Sequence, residues 1–246
     1  MPRTDVNVAT PDGECPSIVI TPDGDGPWPA VILYMDAGGV RAAMVTMAER
    51  LAAMGYVAFL SEMYYRSGPY EPFDMATLFG DADERQRLFG MITSLTTEGV
   101  ASDAGAFLAY LSTLPEVAGT KVGTTGYCMG GRLSLVSAAH HPERIAAAAS
   151  FHGGHLVTDA SDSPHRLVER IAGRVYVAGA ENDPSFTADD AAALDEALAA
   201  AGVEHTVEFY PAGHGFAVPD NSTFDEEAAE RHWQALADLY GMTLTP

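Results

Sequence analysis

The feature that most constrains the fold is a cysteine set among glycines, between an apolar run and a helix-compatible run. Residues 122–125 predict a short buried strand, and the small and apolar residues of 129–140 predict a helix. Between them stands Gly126-Tyr127-Cys128-Met129-Gly130-Gly131. This is the strand–turn–helix pattern G-x-S-x-G with Cys in the place of Ser. Glycine suits the flanks because a β-carbon in so sharp a turn would collide with the neighbouring chain.

The local pattern leaves two interpretations of Cys128 open. In the first, the cysteine is a nucleophile, and the amino end of the following helix favours its thiolate form. In the second, it is a small buried hydrophobic residue in a glycine-rich turn of the kind common in α/β proteins. The rest of the chain has to distinguish them.

Length and composition indicate a globular protein without a membrane segment. The 246 residues fit a single α/β domain spanning 1–246, and a hydrophobic content of 47% is ordinary for such a domain. No apolar run is long enough to span a bilayer, so no membrane partner is expected. Residues 1–14 lack the apolar centre of a signal peptide, which predicts a cytoplasmic location.

Charge and cysteine content exclude several classes of partner. A formal charge of −21, from 34 acidic and 13 basic residues, argues against nucleic acid and against anionic membrane surfaces. An anionic substrate would need a local arginine site to overcome this field. Cys15 and Cys128 are too few for a disulfide framework and cannot form a thiolate zinc site by themselves.

Apolar runs alternate with amphipathic segments along most of the chain. This order predicts an α/β fold with a doubly wound, mostly parallel sheet flanked by helices. Strands are predicted at 6–10, 17–21, 30–34, 56–60, 122–125, 145–151, 174–178 and 206–210, with helices at 42–54, 74–90, 99–114, 129–140, 187–201 and 224–240, and loop with one short helix at 156–171.

Four residues with reactive side chains follow predicted strands directly: Asp36, Cys128, Asp183 and His214. Ligands of such sheets bind at the carboxyl ends of the strands. The chain order of nucleophile, acid and histidine is also the order of the triad in α/β-hydrolases. His214 would take the thiol proton, and Asp183 would hold the imidazole tautomer. Backbone N–H groups of Met129 and Ala37 would form the oxyanion hole.

Each of these residues has a plainer interpretation when it is taken alone. A histidine between glycines is usually an exposed loop residue, and an aspartate before proline usually forms a turn. Their occurrence together, in the right order and after the right strands, favours a Cys-His-Asp triad.

With these residues in view, the chain resembles the dienelactone hydrolase family of α/β-hydrolases. The resemblance covers about residues 5–240. Its most specific parts are the glycine-rich turn around Cys128 and the turn around His214. It implies an α/β-hydrolase fold and hydrolysis of a small-molecule carboxylic ester or lactone without a cofactor or metal. We expect a monomer or a homodimer. The matching segments are 126–131, 212–216, 51–56, 83–87 and the turn at Asp183.

The resemblance also assigns expected roles to residues around the triad. Members that open dienelactones hold the resting thiol with an acidic residue after the third strand, which here is Asp36. They bind the substrate carboxylate with two arginines. The first corresponds to Arg87, whereas the second position holds Val218, so dienelactone itself is a doubtful substrate. Arg66 is a further candidate for carboxylate binding. Surface charge or helix pairing is the plainer interpretation of both arginines.

The segment from His152 to His155 allows a different hypothesis. Two histidines after a strand, with His165, suggest metal ligands, although spacing completes no coordination shell. We favour His152 in the substrate pocket wall. A non-catalytic binding protein with the same fold is the alternative function. Aromatic residues expected on the apolar side of the cleft, with core packing as the alternative, are Tyr64, Tyr65, Tyr70, Phe73 and Phe79.

Overall fold

A computed structural model describes residues 1–71, 73–75, 77–78 and 80–244. Its strands are β1 (Arg3–Thr10), β2 (Gly13–Ile20), β3 (Ala30–Tyr34), β4 (Val57–Ser61), β5 (Val122–Tyr127), β6 (Ile145–Phe151), β7 (Arg174–Ala180) and β8 (His205–Tyr210). Its helices are α1 (Ala42–Ala53), α2 (Ala82–Thr93), α3 (Thr97–Leu111), α4 (Met129–His140), α5 (Pro164–Leu167), α6 (Ala188–Ala200) and α7 (Glu226–Thr243). Two short 3₁₀ turns lie at Tyr65–Ser67 and Val168–Arg170.

The eight strands form one sheet in the order β1-β2-β4-β3-β5-β6-β7-β8. Strands β1 and β2 are antiparallel to each other, β2 is antiparallel to β4, and every later pair is parallel. The predicted mostly parallel sheet flanked by helices is therefore confirmed. Because the parallel strands share one direction, their carboxyl ends meet at one edge, where the residues singled out in the sequence follow β3, β5, β7 and β8.

The centre of the sheet is covered on both faces, which explains its continuous apolar strands. Every residue of β3, β4 and β5 is buried. Helix α4 packs on one face and pairs its hydroxyls with the strands, Ser134 with Thr124 at 2.8 Å and Ser137 with Tyr34 at 2.7 Å. Tyr240 of α7 donates to the carbonyl of Thr124 at 3.0 Å, and its ring occupies the space beside Gly123.

The predicted helix at 74–90 was wrong over its first half. Helix α2 begins only at Ala82, because the Asp81 carboxylate accepts the backbone N–H groups of Asp83 and Glu84 and caps the helix there. Phe79, one of the aromatic residues expected in the cleft, lies outside the described residues. Within the part of the chain that the structure describes, no helix is both long and apolar enough to cross a bilayer.

Candidate active site

Cys128 occupies a strained turn between β5 and α4. Its backbone has φ 54° and ψ −119°, a conformation that non-glycine residues rarely adopt and that clusters at functional sites. A β-carbon on Gly126 would collide with the carbonyl of Gly130, and one on Gly130 would collide with carbonyl oxygens at the end of β3. The glycines are therefore required by the close approach of three backbone segments around the cysteine.

His214 lies between Cys128 and Asp183. Its Nδ1 is 2.5 Å from Oδ2 of Asp183, and the Cys128 side chain interacts with the same imidazole and raises its pKa. The other carboxylate oxygen of Asp183 accepts the backbone N–H of Ser185 at 2.9 Å and the Ser185 hydroxyl at 2.7 Å. The structure thus brings together the three residues predicted to form a triad, in the order thiol, imidazole and carboxylate.

The electrostatics of these groups reflect their contacts. Burial alone would lower the pKa of His214, but the hydrogen bond with Asp183, the interaction with Cys128 and the negative charges of both groups raise it to about 10. Burial alone would raise the pKa of Asp183, but hydrogen bonds from His214 and Ser185 lower it to about 2. The carboxylate is therefore charged at neutral pH and stabilises a proton on the imidazole.

The two predicted oxyanion residues are held close together by a tyrosine. The Tyr64 hydroxyl donates to the carbonyl oxygen of Ala37 at 3.0 Å and lies 3.4 Å from Sδ of Met129. Burial, followed by the negative charge of Cys128, raises the pKa of Tyr64, so the phenol keeps its proton for this bond. Tyr64, expected only to line the cleft, thus connects the loop after β3 with the first residue of α4.

His152 is fully buried behind the triad. Its Nδ1 accepts the backbone N–H of Cys128 at 3.1 Å, and its ring lies 5.2 Å from the ring of His214. Burial, followed by the charge of His214, lowers the pKa of His152 well below its ordinary value. The residue expected in the pocket wall therefore contacts the nucleophile turn from inside the protein.

The metal hypothesis finds no support in the geometry around the same segment. His155 is exposed, and the Nδ1 of His165 bonds the Ser163 hydroxyl at 2.8 Å. Over the described residues, no group of three or more His, Cys, Asp or Glu side chains is arranged to hold a metal ion.

Comparison with known proteins identifies the family. Residues 15–244 match the dienelactone hydrolase family. The chain belongs to the dienelactone hydrolase family. Among its relatives, a protein of Synechocystis sp. named "Putative carboxymethylenebutenolidase" is 29% identical, over 87% of this chain and 86% of its own. The carboxymethylenebutenolidase of Pseudomonas sp. strain P51 is also 29% identical, over 82% of this chain and 80% of its own.

A solved structure of similar fold extends the comparison. A dienelactone hydrolase-like promiscuous phosphotriesterase from metagenomic libraries superimposes with a TM-score of 0.76 at 27% identity, and the match covers 98% of each chain. Taken with the family match, these relatives make this chain a hydrolase of ester or lactone bonds on an α/β-hydrolase fold.

In this family member, Asp36 is engaged by an arginine. Its two carboxylate oxygens accept hydrogen bonds from Nη1 and Nη2 of Arg41, at 2.6 and 2.9 Å. Oδ1 also accepts a hydrogen bond from the backbone N–H of Gly38. The same guanidinium bonds both oxygens of Asp220 at 2.7 Å, in the loop that follows His214. The acid expected to hold the resting thiol is thus the buried half of an ion pair.

Arg87 also has partners within the protein. Its guanidinium bonds the Glu84 carboxylate and the carbonyl of Glu71, and it lies 4.0 Å above the ring of Phe73. Val218, at the family's second arginine position, is completely buried. This family member therefore presents less free positive charge to a substrate carboxylate than the resemblance implies.

Arg66 and Tyr65 lie in a network at the first hairpin. Both Nη atoms of Arg66 bond the buried carboxylate of Asp103 in α3, and its Nε bonds Asp12 in the turn between β1 and β2. The Tyr65 hydroxyl donates to the same Asp103 at 2.7 Å and lies 2.8 Å from the Thr10 hydroxyl. The structure uses both residues to join the hairpin to α3 and does not bring them to the triad.

Sequence reasoning missed three residues that support the site. Ser185 had a detectable signal, because Asp-Pro-Ser is a typical turn in which the aspartate accepts the N–H two residues later. Arg41 and Glu62 had none, since each joins nearby residues to one that is 22 or more positions away, Asp220 for Arg41 and Val40 for Glu62. The Glu62 carboxylate accepts the N–H groups of Val40 and Tyr64 and the Tyr70 hydroxyl, so it fastens the loop after β3 to the loop after β4.

Proposed function

We propose that this protein hydrolyses carboxylic esters or lactones with Cys128 as nucleophile, His214 as general base and acid, and Asp183 as its orienting carboxylate. The observation that carries the proposal is the 2.5 Å contact between Nδ1 of His214 and Asp183, on an imidazole whose pKa the neighbouring Cys128 side chain also raises. A histidine paired with a carboxylate in this way can take a proton from a neighbouring thiol and keep the charge that results.

Acylation begins when His214 holds the proton of Cys128 and the sulfur attacks the substrate carbonyl carbon. The carbonyl π electrons move to oxygen, and the N–H groups of Met129 and Ala37 stabilise the resulting oxyanion. The carbonyl then re-forms, the C–O bond to the alcohol breaks, and His214 gives its proton to the leaving oxygen. The product is a thioester on Cys128, with the alcohol free from an ester or still attached to the acyl group from a lactone.

Deacylation repeats these steps with water. His214 takes a proton from water as its oxygen attacks the thioester carbon, and the same N–H groups bind the second oxyanion. The C–S bond breaks, the acid is released, and the proton on His214 and the charge on sulfur restore the resting pair. Asp183 keeps the imidazole in one tautomer throughout, because its carboxylate accepts from Nδ1.

The proposal is tested with Cys128→Ala and His214→Ala on a panel of p-nitrophenyl esters, lactones and one phosphotriester. We expect either substitution to lower kcat for every ester or lactone hydrolysed by about 10³-fold or more, since the triad acts as a unit. Cys128→Ser should keep the fold with reduced turnover. Unchanged rates in both alanine variants would refute the triad.

The intermediate is tested separately by mass spectrometry. Rapid acid quench during turnover should show one acyl group on the protein, located at Cys128 and absent from Cys128→Ala. Cys15→Ala provides the matched control, because it removes the other thiol, which lies buried in β2. Labelling that persists in Cys128→Ala and disappears in Cys15→Ala would contradict the mechanism.

A further inference from the structure

His152 and Cys128 form a pair at the ends of adjacent strands. In the parallel register of β5 and β6, Tyr127 lies opposite Phe151, so the next residue of each strand begins the turn beyond it. Both of these residues have positive φ, 54° for Cys128 and 39° for His152. Non-glycine residues seldom adopt this region, and two together at one edge of the sheet point to a functional constraint.

A single N–H group connects the two strained residues. The backbone N–H of Cys128 is shared between the carbonyl of Phe151 and Nδ1 of His152, each at 3.1 Å. Because Nδ1 accepts this bond, it carries no hydrogen, and the neutral ring has its hydrogen on Nε2. The tautomer of His152 is therefore determined by the nucleophile's own backbone.

The other ring nitrogen of His152 makes no such contact. Nε2 is buried, and among the described residues no atom is positioned to form a hydrogen bond with it. A buried donor without a partner is destabilising, and such groups are rare in folded proteins. Stability alone would favour an apolar ring at this position, so the histidine points to a role in function.

The ring of His152 also supports the second member of the triad. It lies 5.2 Å from the ring of His214 at 62°, and 4.9 Å from the ring of Phe216 at 80°. These edge-to-face contacts restrict the movement of His214 toward the protein interior. An uncharged ring can remain there when His214 becomes a cation, whereas a charged neighbour would repel it.

We propose that His152 is a positioning residue whose Nδ1 holds the strained turn at Cys128 and whose neutral ring supports His214. This inference rests on the proposed function of the same site and adds a residue to it. The turn carries both the attacking sulfur and the adjacent N–H of Met129. A small displacement of either group reduces the rate of reaction far more than it reduces substrate binding.

Two substitutions separate the hydrogen bond from the packing. His152→Phe keeps an aromatic ring and removes both nitrogens. It therefore removes the unpaired Nε2–H donor together with the Nδ1 acceptor. His152→Asn keeps an acceptor near the place of Nδ1, and asparagine tolerates positive φ. We expect His152→Phe to lower kcat by about 10- to 100-fold with KM changed less than about threefold, at an unchanged or higher Tm. His152→Asn should recover most of the loss.

Exposed His155, also at positive φ (55°), provides the matched control for the same change of residue type. His155→Phe should leave kcat, KM and the pH profile unchanged. If His152→Phe fails to fold, His152→Asn is compared with His152→Gln, whose amide reaches the position of Nε2 instead of Nδ1. The asparagine variant should then be at least about tenfold faster.

Alkylation of Cys128 by iodoacetamide gives a readout that needs no substrate. In His152→Phe it should be slower than in wild type at neutral pH, because the displaced turn no longer holds the sulfur beside His214. Full activity and unchanged alkylation in His152→Phe would overturn the positioning role while Cys128→Ala still tests the triad. Equal kcat loss in the Phe and Asn variants would overturn the hydrogen-bond argument.

Discussion

At the residue scale, the glycines around Cys128 are the positions with least freedom. Gly130→Ala should destabilise the fold severely or prevent it, because the new methyl group would meet two backbone oxygens at the end of β3, which cannot move aside. We expect a loss of soluble protein, or a fall in the free energy of unfolding of about 3 kcal/mol or more, measured by urea denaturation.

Gly241→Ala tests the same change where there is space. Gly241 lies in α7 with nothing within 4 Å of an added β-carbon. Alanine is the better helix former, so this variant should be more stable by up to about 1 kcal/mol. Equal effects at positions 130 and 241 would show that the close approach of backbone segments is not what requires glycine in the turn around Cys128.

The contact between His214 and Asp183 predicts how stability depends on pH. The folded pKa of His214, about 10, is above its ordinary 6.5, so its contribution is complete below about pH 6.5 and is lost as pH rises through about 10. The folded pKa of Asp183, about 2, is below its ordinary 3.8, so its contribution is present above pH 3.8 and is lost as pH falls through about 2.

The measurement is urea unfolding of wild type and His214→Gln across this range. The difference in stability between them should be greatest from about pH 4 to 6.5 and should decrease toward pH 10. About a third of the His214 side chain is exposed, so the difference should be modest and should shrink with salt. A difference for His214→Gln that is constant with pH would contradict the prediction.

At the scale of elements, Arg41 joins two loops that carry the site. It precedes α1 and bonds Asp36 in the loop after β3 and Asp220 in the loop after His214. Asp36 is 2% exposed, so removing its partner leaves an uncompensated buried charge. We expect Arg41→Gln to reduce the free energy of unfolding by about 3–5 kcal/mol. Adding Asp36→Asn to Arg41→Gln, as a double variant, should restore part of this loss, because it removes the buried charge.

Arg50 offers the matched comparison. Arg50 forms a bidentate ion pair with Glu230 that is similar in geometry but exposed to solvent. The exposed fraction is 41% for the Arg50 side chain and 60% for the Glu230 side chain. Arg50→Gln should cost only about 0–1 kcal/mol in the same urea experiment. If Arg41→Gln costs no more than Arg50→Gln, the Arg41 contacts do not hold the two loops in place.

At the scale of the whole molecule, the charge of −21 favours neutral substrates. Arg87 is already bonded by Glu84, and Arg41 lies between two carboxylates. We expect kcat/KM for p-nitrophenyl butyrate to exceed that for mono-p-nitrophenyl succinate by about tenfold or more at low salt. Added salt should raise only the value for the anionic ester, because it screens the repulsion.

Arg87→Gln distinguishes the general effect of the protein's negative charge from specific binding of a carboxylate by Arg87. If Arg87 binds carboxylate, the substitution lowers kcat/KM for the succinate ester and leaves the butyrate ester unchanged. A preference for the succinate ester at low salt would contradict the prediction and would support the carboxylate site that the family resemblance implies.

The order of elements and the residues that follow the strands could be predicted from the sequence, because both depend on local patterns. Alternation identified the first strand and apolar runs identified the later ones, and the glycine-flanked turns marked Cys128 and His214. The start of α2 was predicted wrongly, since residues 74–81 have helix-compatible apolar spacing but Asp81 caps the helix at Ala82.

The sequence by itself determined the α/β architecture and the chain order of Cys128, Asp183 and His214. Only the tertiary structure decided what surrounds them: Arg41 on Asp36, Tyr64 between Ala37 and Met129, and His152 beneath the nucleophile. These contacts join residues 24 or more positions apart, or engage a side chain that had several possible partners. Periodicity and turn chemistry act over a few residues, whereas the choice among distant partners depends on how the strands align.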